Sequence, residues 1–469
     1  MQPSSGKGYA YVAASILVAA AVIASSILVS PLETTKTSTS TATSVVTSTP
    51  APVTTTSTLT ETTTSTSTSL TAFTYTVTVT QGIQGGDTCS PTSFNQASGQ
   101  PQQAATGKAP NATATKPVTV GMSIQGSATN SSSQRKTFVA SGLRWVFYTD
   151  GQNLVYQTSS GNASWSIPPT VVRDNVQRGW FFTLAQNGTT LFVVVAATDG
   201  STNGVEFMKG TMNVDGTISW SVQESFPYSG VGSDVPSFAL DSAGNPWIAV
   251  DALNGSCRNI EAFKDTGGLW SQVYELGSFA NYARPLLVPL ADGKMAIEIL
   301  TETPVARQVV VVTSPDGGAT WSTPIATSPD EMLTLSAVSI GDTIYSVTTD
   351  EGGHVYLWSY AYGDTAFGGP VAIANWTGSL EGDASITTDG SNLVVAYSSA
   401  TSVSFLTSPD LGGTWTAPSL ISSMEMHVQT DSLGTSPIVN GTVNVVWTAQ
   451  DYTGGTSFDV RYAALSLGA

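Results

Sequence analysis

Short apolar runs that alternate with polar residues follow one another from about Val118 to the C-terminus, and Gly, Asp or Asn bounds each run. Alternation with a period of two is typical of β-strands, and the bounding residues favour turns. No convincing helical period of 3.6 residues interrupts this succession. The pattern predicts an all-β domain over residues 117–469.

The N-terminal pattern is different, because residues 9–30, YAYVAASILVAAAVIASSILVS, carry no charge. A helix that spans a bilayer needs roughly 20 apolar residues, so we expect a single transmembrane helix here. Lys7 precedes the run, and the positive-inside rule then places residues 1–8 in the cytoplasm and the C-terminal domain outside the cell. A cleaved secretory signal is the alternative, although its apolar core is usually only about 7 to 15 residues long.

A Thr- and Ser-rich region follows, and about two-thirds of the residues from Thr34 to Thr80 are of these two types. Such a segment has no apolar surface to bury, and its dense hydroxyl groups suit O-glycosylation, which would stiffen it. We therefore expect residues 31–116 to be a disordered stalk and linker. An unmodified flexible linker is the alternative.

An eight-residue motif recurs along the β region. SPDGGATW at 314–321 returns as SPDLGGTW at 408–415, and weaker copies begin at Thr158, Asn213 and Phe263. Each copy stands between two apolar strands, which predicts a hairpin turn. In such a turn the Asp carboxylate accepts backbone N–H groups, Gly adopts positive φ, and the Trp side chain packs between neighbouring sheets.

This repeat resembles the Asp-box, or BNR, repeats of sialidase-like β-propellers, from about Val118 to Leu467. The resemblance implies that the turns join the third and fourth strands of a blade, on the face opposite the ligand site. It implies a structural role for Ser314, Asp316, Gly318, Trp321, Ser408, Asp410, Gly412 and Trp415.

Lys7-Gly8 likewise resembles the processing site of archaeal class III, pilin-like signal segments. That likeness implies removal of residues 1–8, with the helix retained as an anchor.

The number of blades follows from the apolar runs in the second-strand position, of which there are seven, from LRWVFYTD to TVNVVWTAQ. The last unit lacks a fourth strand, whereas VTVGMSIQ at 118–125 precedes the first unit without a partner. Pairing these two strands would close the ring and remove exposed sheet edges. We expect a seven-bladed propeller, with six blades, the number in sialidases of this family, as the alternative.

Composition restricts the class of partner. The chain has a formal net charge of −17 and is only 10% charged, so like-charge repulsion disfavours nucleic acid. Two cysteines and two histidines are too few for a zinc cluster or a His-based metal site. No cofactor is expected. A bound Ca²⁺ in the acidic turn TDEGG at 349–353 is an alternative to ordinary turn chemistry.

Charged residues are enriched where the predicted inner strands begin and in the loops between second and third strands. In a propeller both places lie on the ligand face around the central channel. The candidates for this face are Arg178, Asp234, Arg258, Tyr282, Arg284, Arg307, Glu381, Asp383, His427 and Asp431.

The family resemblance implies a catalytic alternative for some of these residues. Sialidases hold the substrate carboxylate with three arginines and use a Tyr–Glu nucleophile and an Asp acid/base. The chain offers Arg178 and Arg284, Tyr282, and Asp234 or Asp383, but no obvious third arginine and no Phe/Tyr-Arg-Ile-Pro motif. Hydrogen bonding to neighbouring loops in a wet channel explains the same residues without catalysis.

Two covalent features fit an extracellular domain. A disulfide between Cys89 and Cys257 would pin the linker to the propeller, with two unrelated thiols as the alternative. Sequons for N-glycosylation occur at Asn111, Asn130, Asn162, Asn187, Asn254, Asn375 and Asn440.

The sequence therefore predicts a membrane-anchored, single-pass surface protein whose propeller recognises a glycan or a surface protein, in adhesion or envelope assembly. The alternatives are an exo-acting glycoside hydrolase of sialidase type and a self-assembling filament or envelope subunit.

Overall fold

The structure is a computed structural model. It describes residues 36–42, 53–64, 70–81, 95–96, 102–107, 112–161, 164–196, 204–226, 235–254, 257–279, 282–302, 307–327, 332–376, 382–423, 425–450 and 456–468. The chain divides into two compact units, Met1–Asp87 and Thr88–Ala469. The predicted anchor at 9–30 and the residues before it lie outside the described part. Within the described part, no helix is long and apolar enough to cross a membrane.

The first unit contains three strands in the Thr-rich region. They are β1 (Lys36–Ala42), β2 (Val53–Thr64) and β3 (Leu70–Gln81), and they form an antiparallel sheet in the order β1-β2-β3. Threonine is β-branched and favours extended backbone, which accounts for strands where the sequence predicts disorder. The function of this region as a stalk stays a prediction.

The second unit begins with five strands that precede the first blade. They are β4 (Asn95–Gln96), β5 (Gln102–Gln103), β6 (Ala105–Thr106), β7 (Thr113–Ala114) and β8 (Val118–Ser123).

Seven antiparallel sheets follow, each a blade. Blade 1 is β9 (Thr137–Ala140), β10 (Leu143–Thr149), β11 (Leu154–Ser159) and β12 (Thr170–Arg173), and blade 2 is β13 (Phe182–Asn187), β14 (Thr190–Ala196), β15 (Val205–Met212) and β16 (Ile218–Phe226). Blade 3 is β17 (Ser237–Leu240), β18 (Pro246–Asn254), β19 (Cys257–Asp265) and β20 (Trp270–Phe279), and blade 4 is β21 (Tyr282–Pro289), β22 (Met295–Glu302), β23 (Arg307–Ser314) and β24 (Ile325–Ala326).

The last three blades have the same order. Blade 5 is β25 (Met332–Ile340), β26 (Thr343–Asp350), β27 (His354–Ala361) and β28 (Gly368–Asn375). Blade 6 is β29 (Gly382–Thr388), β30 (Leu393–Ser399), β31 (Val403–Ser408) and β33 (Ser419–Ser422), and the short β32 (Thr414–Trp415) lies between β31 and β33 outside this sheet. Blade 7 is β34 (Gly434–Thr435), β35 (Thr442–Gln450) and β36 (Phe458–Ser466). Single 3₁₀ turns lie at Gly179–Phe181 and Ala291–Gly293.

The core lies between the blades, because each sheet buries both of its faces. In β14, Leu191, Val193 and Val195 pack against blade 1, whereas Phe192 and Val194 pack against blade 3. One apolar cluster occupies each of the seven seams, including the seam between blades 7 and 1. Burial of both faces explains why the second strands are nearly continuous apolar runs.

The ring closes as the sequence predicts, and it has seven blades rather than six. Strand β8 pairs antiparallel with β36, from Phe458 opposite Ser123 to Tyr462 opposite Val118. The N-terminal strand thereby supplies the outer strand that blade 7 lacks. The fold is an all-β, seven-bladed β-propeller.

The described part of the linker pairs with the outer edges of the blades. Strands β4, β5 and β6 run parallel to β24, β28 and β32, and β7 pairs antiparallel with β36. The sequence predicts disorder up to residue 116, whereas these short pairs satisfy edge amide and carbonyl groups of blades 4 to 7 that would otherwise face solvent.

The two full copies of the repeat, which we call the box turns, lie between the third and fourth strands of blades 4 and 6. In the first, Asp316 Oδ1 accepts the backbone N–H of Thr320 at 2.8 Å and Ser314 Oγ accepts that of Gly318 at 2.8 Å. Asp410 and Ser408 make the same bonds in the second, and the hydrogen bonds from Thr320 and Thr414 lower the pKa of Asp316 and Asp410 respectively. The predicted turn chemistry is therefore present.

Each box turn packs against the preceding blade. Trp321 Nε1 donates to the carbonyl of Val273 in blade 3 at 2.9 Å. Gly318 has a φ of 101°, and a Cβ atom there would lie 2.8 Å from the ring of Trp247. This position requires glycine because of both its backbone and its neighbour.

One seam contains a buried acid that the sequence pattern does not single out. Glu298 in β22 is fully buried between blades 4 and 5, and Ser346 Oγ lies 2.7 and 2.8 Å from its two carboxylate oxygens. Burial raises the pKa of Glu298 from its ordinary value of 4.5 to about 7.

We expect Glu298→Gln to stabilise the protein in a pH-dependent way. Because the folded pKa is raised, the folded chain becomes less stable as pH rises from about 4.5 to about 7. The variant should be more stable by about 3 kcal/mol above pH 7 and no more stable below pH 4.5. Urea unfolding at several pH values measures this difference. An equal difference at every pH would contradict a titrating Glu298.

Candidate functional site: the plugged channel and the ligand face

The central channel is filled by the segment 128–136 between β8 and β9, which we call the plug. Thr129, Ser131, Ser132, Gln134 and Lys136 are at most 2% exposed. Plug atoms form hydrogen bonds with all seven blades. From blade 1 to blade 7 the partners are Phe147 N, Gly179 O, Pro236 O, Arg284 Nη1, Leu335 O, Ile386 O and Ser432 O.

Lys136 fixes the end of the plug to blade 2. Its Nζ donates to Gln134 Oε1 at 2.9 Å, to Gly179 O at 2.7 Å and to Phe182 O at 2.6 Å. The ammonium also lies 3.4 Å from the centroid of the Phe182 ring. Burial lowers the pKa of Lys136 well below its ordinary value, and the negative charge of Asp431 opposes that change. Three acceptors match the three N–H donors of a protonated lysine.

Asp431 holds the plug on the face where the inner strands begin. Its Oδ1 accepts Ser131 Oγ at 3.0 Å, Ser132 N at 3.2 Å and Ser132 Oγ at 3.1 Å. Arg284 Nη1 donates to Oδ2 of the same carboxylate. The structure therefore brings together two predicted ligand-face residues, Arg284 and Asp431, as an ion pair on the plug.

Asp383 lies in the same region but is inaccessible, with an exposed fraction of 0%. Its Oδ2 accepts the backbone N–H of Leu433 at 2.6 Å, which joins blade 6 to blade 7. Burial, and then the nearby charge of Asp431, raise the pKa of Asp383 well above its ordinary value. The contacts of this residue are structural, and its proposed role as a proton donor stays a prediction.

The other predicted ligand-face residues lie farther out. Arg178 is exposed, and its guanidinium lies 4.9 Å from the ring centroid of the half-buried Trp180. Arg258 Nη1 donates to Asp251 Oδ2 at 2.8 Å. Arg307 begins β23, and His427 is half-buried, with its carbonyl bonded to Gln450 N. Asp234, Glu381 and the side chain of Tyr282 lie outside the described residues.

The structure adds a polar cluster at the turn between β26 and β27. His354 Nδ1 lies 2.9 Å from Asp350 Oδ2, and Tyr356 Oη donates to the same oxygen at 3.2 Å. The His354 side chain is 43% exposed. Because Asp350 pairs with Met332 at the start of an inner strand, this turn is on the predicted ligand face. The sequence singled out the turn only for Ca²⁺, and no described group of three His, Cys, Asp or Glu residues could hold a metal ion.

The predicted covalent sites have mixed outcomes. Asn130 belongs to the plug, is 7% exposed, and donates through Nδ2 to Thr430 O, so the predicted glycan at Asn130 is wrong because no space is open to it. Asn187, Asn375 and Asn440 are exposed and stay predicted sites. The remaining sequons, at Asn111, Asn162 and the Asn254 side chain, lie outside the described residues, as do Cys89 and the Cys257 side chain.

We expect Lys136→Met to destabilise the protein by about 3 kcal/mol, because it leaves buried carbonyl groups without their charged donor. Equilibrium urea unfolding measures the change. Lys209→Met is the matched control, since Lys209 is exposed on β15 and should tolerate the substitution within about 0.5 kcal/mol. Equal stability of Lys136→Met and the parent would show that the ammonium does not secure the plug.

Comparison with known proteins shows that this chain is similar to some of them in fold. No family model matches the chain, and no protein of curated function is similar to it in sequence. Among solved structures, a protein of unknown function from Dyadobacter fermentans is 13% identical, with a TM-score of 0.44 over 76% of this chain and 99% of that one.

Two further similar structures are, by name, carbohydrate-active enzymes. A polysaccharide lyase, an ulvan lyase, is 8% identical, with a TM-score of 0.48 over 74% of this chain and 94% of that one. The sialidase of Trypanosoma rangeli is 13% identical, with a TM-score of 0.41 over 71% of this chain and 53% of that one. At these identities the similarity concerns the propeller fold alone.

Proposed function

We propose that the protein is a cell-surface module that binds glycans through the ligand face of its propeller. The observation that carries this proposal is the pair of Arg178 and Trp180 beside the plug. The exposed guanidinium lies 4.9 Å from the indole centroid, and the carbonyl of Trp180 accepts Gln134 Nε2 of the plug at 3.2 Å. The guanidinium lies over one face of the indole, and the stacked pair offers a sugar both a flat surface and hydrogen-bond donors for its oxygens.

Binding without cleavage fits the described part of the face better than sialidase chemistry does. A three-arginine clamp needs guanidinium groups directed at the substrate carboxylate. Here Arg258 is paired with Asp251, and Arg284 is paired with Asp431. The plug also fills the channel, so a ligand would meet a closed surface and not a deep pocket.

The surface location rests on the sequence. The uncharged run at 9–30 would anchor the chain, and the Thr- and Ser-rich region would hold the propeller away from the membrane. Self-association into a filament or envelope layer is compatible with the same arrangement.

The glycan proposal is tested by binding of the purified protein to a glycan array. We expect Trp180→Ala to weaken binding to the preferred glycan by about tenfold or more, because it removes the stacking surface. Trp220→Ala is the matched control. Trp220 is 38% exposed and is the third residue of β16, close to the turn that joins β15 and β16 on the opposite face. Unchanged binding by Trp180→Ala, or equal loss in both variants, would refute the proposed surface.

Glycoside cleavage is the second candidate, and the cluster of Asp350, His354 and Tyr356 favours it. A carboxylate bonded to Nδ1 orients the imidazole, and a partly exposed imidazole on the ligand face can act as a general base.

This candidate predicts turnover of at least one substrate in a panel of fluorogenic sialosides and other glycosides. His354→Gln should lower kcat by about 100-fold or more, as expected for loss of a general base. Arg284→Ala should raise KM if Arg284 also holds a substrate carboxylate. A panel without turnover would leave glycan binding as the function.

A further inference from the structure

A cavity lies beside the plug on the face of the box turns, opposite the face where the inner strands begin. The cavity measures about 270 Å³ and lies at the C-terminal ends of β21, β25 and β29. The half-buried residues Pro289, Ala337, Val338 and Pro437 supply apolar walls, and Arg135 of the plug is the charged residue that lines it.

Arg135 lacks a carboxylate partner among the described residues. Its Nη1 donates to the carbonyl and hydroxyl oxygens of Thr435 at 2.8 and 2.7 Å, and Nη2 donates to Ile386 O at 3.1 Å. All three acceptors are neutral. Burial lowers the pKa of Arg135 to about 10, so the guanidinium stays charged at neutral pH. This uncompensated cation belongs to a chain whose net charge is −17.

The hydrogen-bond count leaves donors for a ligand. A guanidinium has five N–H groups, and three of them are used by Thr435 and Ile386, which leaves Nε–H and one N–H of Nη2. These two nitrogens form one edge of the planar group, and the two oxygens of a carboxylate match such an edge.

The remaining lining restricts the ligand further. The hydroxyl of Ser339 already donates to Pro289 O at 2.5 Å, and that of Thr388 donates to Asn392 O at 2.7 Å. A phosphate or sulfate needs several hydrogen-bond donors for its charge and oxygens, but this cavity offers it a single guanidinium. A carboxylate needs only the free edge, and an apolar body would cover the apolar walls.

We propose that this cavity binds a small organic carboxylate with an apolar body, and that Arg135 holds its carboxylate group. The site is separate from the proposed glycan surface and does not depend on it.

Isothermal titration of the purified full chain with benzoate tests the proposal, with benzyl alcohol and inorganic sulfate as comparison ligands. We expect benzoate to bind at least about tenfold more tightly than either, because only benzoate satisfies both the guanidinium edge and the apolar walls. Equal binding of benzyl alcohol, equal binding of sulfate, or no binding of benzoate would overturn it.

Two variants locate the site. Arg135→Gln should weaken benzoate binding by about tenfold or more, and Arg173→Gln, which alters an arginine on blade 1 paired with Glu206, should not change it. If Arg135→Gln fails to fold, as its melting curve would reveal, Pro437→Glu decides, because Pro437 is a half-buried residue of the cavity wall. That substitution places a carboxylate in the cavity beside an intact Arg135 and should abolish benzoate binding. Retained binding in either folded variant would overturn the assignment.

Discussion

The hydrogen bonds between the plug and the seven blades are the interaction on which the arrangement of the blades depends. Seven sheets that pack face to face bury their apolar sides, but they leave a polar channel at the axis. Backbone and side-chain groups that line such a channel need partners, because an unsatisfied buried polar group costs free energy. The plug supplies those partners to every blade, through neutral groups such as Ser132 and through the ammonium of Lys136.

Charge at the axis follows from the same requirement. The chain has few cations, yet Arg135, Lys136 and Arg284 all lie at the plug or against it. Lys136 is enclosed by carbonyl oxygens, and Arg284 is neutralised by Asp431. Placing these charges in low-dielectric surroundings strengthens each contact, provided that each charge has its acceptors. Among the described residues of the predicted ligand face, Arg284, Asp383 and Asp431 consequently also hold the ring together.

Part of the site could be predicted from sequence, because topology fixes which ends of the strands meet at one face. Arg284 and Asp431 were predicted for this face because they lie where inner strands begin, and both are near the axis. Their mutual pairing could not be predicted, since it depends on the position of the plug, which both side chains contact. Asp350 and His354 carried a weak signal, an acidic residue four positions before a rare histidine, but that spacing is also common in turns.

The sequence by itself determined the β class, the repeat, the seven blades and the pairing of β8 with β36, because strand periodicity and turn chemistry are local and the need to close the ring follows from them. Only the tertiary structure decided that residues 128–136 lie in the central channel and fill it. That placement buries Asn130, which a local motif marks as a surface sequon, and it encloses Lys136. Seven strands that are distant in sequence together form the surroundings of a side chain at the axis, so no local sequence pattern predicts those surroundings.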